Sequence, residues 1–108
     1  MIDRRPDGRA VYCGTLVESD ALLLRWDDPA VQWGLGVFET IAVRDATPRH
    51  LHDHLRRLSD AAMRLGVPLP AVTELTRAVL LVAEGASGGS RWLKIIASRS
   101  GQWAVFAG

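Results

Sequence analysis

Apolar residues recur at Leu51, Leu55, Leu58, Ala62 and Leu65. Spacings of four and three place them on one face of a helix. Asp53 sits near the start, where the helix dipole favours a carboxylate. Gly66 stands where a C-terminal cap belongs, and Pro68 and Pro70 stop the helix from continuing. A second helical stripe follows at Val72, Leu75, Val79 and Val82, with Pro70 at or near its first turn. Elsewhere the pattern is that of strands. Residues 34–43 carry it most clearly: Gly34 and Gly36 open the segment, and Val37, Phe38, Thr40, Ile41 and Val43 are β-branched or aromatic. Along such a strand Phe38 and Thr40 face one way and Glu39 the other. Residues 10–17 read as a hairpin turning at Cys13-Gly14, and residues 22–26 as a strand broken by Asp27-Asp28-Pro29. Residues 45–48 form a turn and 47–51 return as a partner strand. Residues 85–90 are a glycine- and serine-rich loop, and 92–97 and 102–107 are further strands.

This order predicts an α+β domain, an antiparallel sheet of about four to six strands with two helices packed on one face. Residues 1–9, polar with Pro6 and Gly8, read as a loose lead-in, and residues 10–108 as the domain. No internal repeat is visible.

Composition narrows the function classes. The chain of 108 residues is 48 % hydrophobic, enough for one core. Its formal net charge of +1 argues against nucleic acid or an anionic membrane as partner. Lys94 is the only lysine, so the basic side is nearly all arginine. Arginine suits forked recognition of phosphate and carboxylate, although a GC-rich gene gives the same bias and is the plainer explanation. The single cysteine, Cys13, excludes an internal disulfide and fits a reducing compartment. No signal peptide is visible, and the longest apolar run, residues 78–83, is far too short to span a bilayer. A cytoplasmic protein acting on a small molecule is the expectation.

His50, His52, His54 and Asp53 form a dense cluster that suggests a metal site. The three histidines straddle a strand-to-helix junction, however, and metal ligands must converge on one point. No metal is expected. Trp26, Trp33, Trp92 and Trp103 read as core or interface residues.

Four stretches together resemble one family. Trp33-Gly34-Leu35-Gly36-Val37-Phe38-Glu39-Thr40 is similar to the Gly-Asp-Gly-Val-Phe-Glu-Thr signature of the class IV, fold-type-IV pyridoxal-phosphate enzymes. His54-Leu55-Arg56-Arg57-Leu58 resembles their His-Leu-x-Arg-Leu. Leu65-Gly66-Val67-Pro68-Leu69-Pro70 follows at the expected distance, and Leu93-Lys94-Ile95-Ile96-Ala97-Ser98-Arg99 is like the strand ending in Ser/Thr-Arg-Gly. Threonine rather than glycine after Glu39 leans away from branched-chain aminotransferases, and the Leu93–Arg99 strand looks most like aminodeoxychorismate lyases. The sequence departs from the pattern at Ala30, Trp33, Leu35 and Ser100, where glycine, tyrosine, aspartate and glycine are usual.

The resemblance implies the small N-terminal lobe of an enzyme using pyridoxal 5'-phosphate. That enzyme would be a homodimer, with its catalytic lysine in a second domain beyond this chain. The implied reaction converts 4-amino-4-deoxychorismate to 4-aminobenzoate and pyruvate, for folate synthesis. A branched-chain or D-amino-acid aminotransferase lobe is the alternative, and a truncated, non-catalytic domain binding a ligand or partner is the alternative of another class. The resemblance assigns Arg57 to the cofactor phosphate, against the plain reading of a solvated helix arginine beside Arg56. It assigns Arg99, and less directly Arg91, to a substrate carboxylate, against strand-end arginines in solvent. Glu39, His54 and Trp33 become supporting residues near the pocket. Lys94 takes a supporting or surface role rather than the Schiff base, so no catalytic residue is expected in this chain.

Overall fold

A computed structural model describes residues 7–22, 24–86 and 90–108. It forms one six-stranded sheet, antiparallel throughout, from β1 (Asp7–Tyr12), β2 (Thr15–Glu18), β3 (Gly36–Arg44), β4 (Thr47–Pro48), β5 (Ser90–Ser98) and β6 (Trp103–Ala107). The strand order is β2-β1-β6-β5-β3-β4. Three helices accompany it: the short α1 (Pro29–Gln32), then α2 (Leu51–Leu65) and α3 (Val72–Gly85).

The central pairing is β3 with β5, running from Gly36↔Ser98 to Arg44↔Ser90. Strand alternation gives this ribbon two unlike faces. Val37, Ile41 and Val43 of β3 and Leu93, Ile95 and Ala97 of β5 are buried. Phe38, Thr40 and Ala42 lie exposed on the other face, beside half-buried Lys94 and Ile96. Leu55, Leu58 and Ala62 of α2 and Leu75, Ala78, Val79, Val82 and Ala83 of α3 close over the apolar face. Val11, Trp103 and Val105 join the same core.

Local geometry follows the chemistry of the turns. Cys13 and Gly14 link β1 to β2 with φ of 48° and 89°, and Asp45 and Ala46 link β3 to β4 with φ of 52° and 62°. Paired positive φ values give the mirror-image turns that match the twist of a two-strand ribbon. The left-handed Gly66 ends α2, and the amides of the cap reach Ala62 O and Met63 O.

Both long helices, the hairpin at Cys13-Gly14 and the strands around residues 34–43, 92–97 and 102–107 stand where the hydrophobic pattern puts them. Several details differ. The stretch 22–26 forms no strand among its described residues; a 3-10 turn, Ser19–Ala21, follows β2, which already lies at the sheet edge. Asp27-Asp28-Pro29, read as a breaker, instead starts α1, with Asp28 as N-cap and Pro29 in the first turn. β1 begins at Asp7, inside the stretch read as a lead-in, whose residues 1–6 lie outside the description. Residues 87–89 of the expected loop also lie outside it. Trp103 is in the core, but Trp26 and Trp33 flank α1 and are 91 % and 70 % exposed, so neither is a core residue of this lobe. Among the described residues no helix is long and apolar enough to cross a membrane.

Ile95 is fully buried at the middle of β5, which is itself an inner strand. Ile95→Ala should therefore cost about 2–5 kcal/mol in chemical denaturation, from lost burial and the cavity left behind. Leu81→Ala, on the exposed side of α3, should change stability by less than about 0.5 kcal/mol.

Candidate functional site

β3 and α2 run antiparallel, so the middle of one faces the middle of the other. Glu39 lies on the helix side of β3, where the apolar stripe of Val37 and Ile41 is interrupted by a carboxylate. Its side chain is only 16 % exposed and meets two residues one helical turn apart on α2. His54 Nδ1 is 2.6 Å from Glu39 Oε2, and Arg57 Nη2 is 3.4 Å from the same oxygen. Arg57 Nη2 is also 3.0 Å from His54 Nδ1. These contacts make opposite demands on Nδ1, which can donate to Glu39 or accept from Arg57. With the proton on Nδ1 the carboxylate accepts from both neighbours. That tautomer is assigned from the network and gives the negative charge two donors.

Arg57 itself is 62 % exposed. One edge of its guanidinium donates to Glu39, and the rest of the fork faces solvent. A fork held at one edge has its direction fixed and keeps its other N–H groups available to an anion. The donor set thus suits a phosphoryl group. It offers nothing for the aldehyde end of pyridoxal phosphate: Lys94 lies on the opposite face of the sheet, its Nζ 5.0 Å from the centre of the Phe38 ring.

The remaining candidates are dispersed. Arg99 follows the end of β5 and is exposed; its Nε would lie 3.9 Å from a Cβ placed on Gly66, beside the C-terminal end of α2. Nine residues separate Gly66 from Arg57, about 13 Å along the helix. Arg91 stands at the other end of β5, about 26 Å of strand away from Arg99, and its Nε donates to Gly108 O at 3.0 Å. One carboxylate cannot bind both. Trp33 caps α1 beyond the Gly34–Gly36 segment. His50 takes a left-handed conformation just before α2, while His54 is engaged by Glu39, and among the described residues no set of histidine, cysteine and acidic side chains gathers as metal ligands would. A shallow groove on α3, lined by Thr73, Thr76, Arg77, Leu80, Leu81 and Glu84, includes none of these residues.

A second polar cluster escaped the sequence reading. Asp28 is buried; its Oδ1 accepts from the Ala30 amide at 2.8 Å and from Ser98 Oγ, and its Oδ2 accepts from Ser100 Oγ at 2.8 Å. Gly36 closes the same corner: a Cβ there would lie 2.9 Å from Ala30 Cβ and 3.0 Å from Ala97 O, so only glycine lets α1 approach β5. The signal for Asp28 was present as an aspartate followed by proline, a common helix start. Its contacts 70 and 72 positions away were not.

No family model matches the chain. Over 91 residues the chain is 36 % identical to the bifunctional aminodeoxychorismate lyase / D-amino acid transaminase of Mycobacterium tuberculosis, a match that covers 80 % of this chain and 31 % of the relative. A hypothetical aminotransferase from Mycobacterium tuberculosis, solved in a PLP-bound form, superposes with a TM-score of 0.80 at 26 % identity over 94 % of this chain and 39 % of its own. In sequence and fold the chain is similar to the N-terminal part of fold-type-IV aminotransferases. A fold IV transaminase from Curtobacterium pusillum gives a TM-score of 0.81 at 27 % identity, covering 93 % of this chain and 42 % of its own. The six-stranded sheet and its helices correspond to the N-terminal lobe of that family. The chain spans about a third of the length of the curated relative.

The Asp28 carboxyl carries a pH dependence. Burial pushes its pKa up, but the hydrogen bonds from Ser98, Ala30 and Ser100 outweigh this and hold it below the ordinary carboxylate value. A lowered folded value stabilises the charged state, so the contribution is complete above the unfolded value of about 4 and is lost as the pH falls below it. Asp28→Asn should lower stability at pH 7 by about 1–3 kcal/mol. The gap between variant and unsubstituted chain, followed by denaturation from pH 7 downward, should close below about pH 4.

Proposed function

We propose that this lobe supplies the phosphate grip and part of the substrate site of a pyridoxal-phosphate enzyme. We read its activity as that of an aminodeoxychorismate lyase, which releases pyruvate from 4-amino-4-deoxychorismate and leaves 4-aminobenzoate. The observation that carries the proposal is the Glu39–His54–Arg57 cluster, which aims an exposed guanidinium from a half-buried carboxylate. The relative named as both lyase and D-amino acid transaminase supports this reaction class, and it makes a D-amino-acid aminotransferase the second reading. The threonine after Glu39 and the Lys94…Ser98-Arg99 strand favour the lyase. Pyruvate release without an added keto acid, by an enzyme carrying this lobe, would separate the two.

Arg57 would hold the cofactor phosphate by paired charge-assisted hydrogen bonds that persist at any physiological pH. Glu39 fixes the direction of the fork, and His54 fixes Glu39. Arg99, at the Gly66 end of α2, would face the carboxylate of the substrate. Bound pyridoxal phosphate supplies an electron sink at the carbon bearing the substrate nitrogen. Lys94 is assigned no part in that chemistry because its ammonium lies across the sheet from Arg57.

Titration of the chain with pyridoxal phosphate, followed by fluorescence, tests the grip. Arg57→Ala should weaken binding about ten- to hundred-fold, the value of charge-assisted bonds to phosphate. Borohydride treatment should leave no covalent adduct. Unchanged affinity in Arg57→Ala would remove it from the phosphate site, and an adduct abolished by Lys94→Ala would overturn the role given to that lysine.

A further inference from the structure

Asp28 does more than cap a helix. Capping the four residues of α1 needs one acceptor for the Ala30 amide, and any short polar side chain could supply it. Asp28 also spends both oxygens on a distant turn, through Ser98 Oγ and Ser100 Oγ. Those two serines bracket Arg99. The Arg99 amide donates to Leu35 O at 2.9 Å, the Ser100 amide to Ser98 Oγ at 3.2 Å, and the Gly101 amide to Ser98 O at 2.9 Å. The backbone is therefore held before, at and after Arg99, while the guanidinium remains exposed.

We propose that Asp28 is the positioning residue for Arg99, acting through Ser98 and Ser100 to set where the guanidinium meets the carboxylate of an anionic substrate. The inference rests on the reading of Arg99 given above. Its physical basis is that a long side chain binds more tightly when its root is fixed, because less freedom is lost on association. It also assigns a use to Ser100, whose hydroxyl donates to Asp28 Oδ2. That hydroxyl is a second arm of the clamp beside Ser98. The same carboxylate reaches α1 and, through the Arg99 amide, the Leu35 carbonyl. The glycine segment before β3 and the arginine after β5 are thereby set relative to each other.

The test is 15N NMR of the labelled chain, with 2-oxoglutarate as carboxylate probe on the Arg99 Nε–Hε signal and inorganic phosphate on that of Arg57. The Arg99 response should be about three-fold weaker in Ser100→Gly and about ten-fold weaker in Asp28→Asn, as expected for losing one hydrogen bond or several. Ser100→Thr, which keeps the hydroxyl, should restore it. The Arg57 response to phosphate should be the same in all variants, which a general loss of structure would not allow. Equal carboxylate affinity in Ser100→Gly and the unsubstituted chain would overturn the inference alone, as would a Ser100→Thr variant as weak as Ser100→Gly. If Asp28→Asn does not fold, the two Ser100 variants decide. An unsubstituted chain in which Arg99 ignores the probe would overturn the carboxylate reading of Arg99, and this inference with it.

Discussion

The β3–β5 pairing is the constraint on which the rest of the lobe depends. Its register, Gly36 against Ser98 through Arg44 against Ser90, decides what faces the helices and what faces away. A slip of β3 by one residue would send Val37, Ile41 and Val43 to the open face and bring Phe38 and Thr40 towards the core. The same register separates Arg57, the proposed phosphate ligand, from Lys94, the one lysine. Glu39, and with it Arg57, belongs to the helix side; Lys94 belongs to the other. Neither can change sides while the sheet holds.

Helical and strand periods were legible because burial here is one-sided. α2 was readable to its ends: Leu55, Leu58 and Ala62 bury, Asp53 sits in the first turn and Gly66 caps it. The alternation of Phe38, Glu39 and Thr40 was readable for the same reason. Around α1 the reading failed. Asp28-Pro29 carries a helix-start signal and a chain-break signal at once, and only contacts from Ser98 and Ser100 decide between them. Trp26 and Trp33 read as core or interface residues, and their exposure excludes the core of the described residues.

The candidate site was legible as residue types and illegible as an arrangement. The motif placed Glu39, His54 and Arg57 on neighbouring elements, and the fold brings them within hydrogen-bonding reach. Arg91 and Arg99 share a strand in sequence, but β5 holds them at opposite ends, so strand length separates what composition had grouped. The three histidines were dense in sequence, and one of them, His54, is directed at a carboxylate instead. Two polar corners result: one in mid-sheet with an exposed guanidinium, and one at the Gly36 end, where Asp28 ties the turn around Arg99 to α1. Among the described residues, the open sheet face, with Phe38 64 % exposed, the outer side of α3, with Val72, Leu80 and Leu81, and the tryptophans flanking α1 all leave apolar surface uncovered.

The most direct measurement of the central claim is a comparison of two side chains in one titration. Pyridoxal phosphate is added to the labelled chain while the Arg57 Nε–Hε and Lys94 Nζ signals are followed together. The expected result is a saturable shift at Arg57 with Lys94 unmoved, because the sheet lies between them. A shift at Lys94 that tracks the one at Arg57, or a response at Lys94 alone, would contradict the two-sided arrangement.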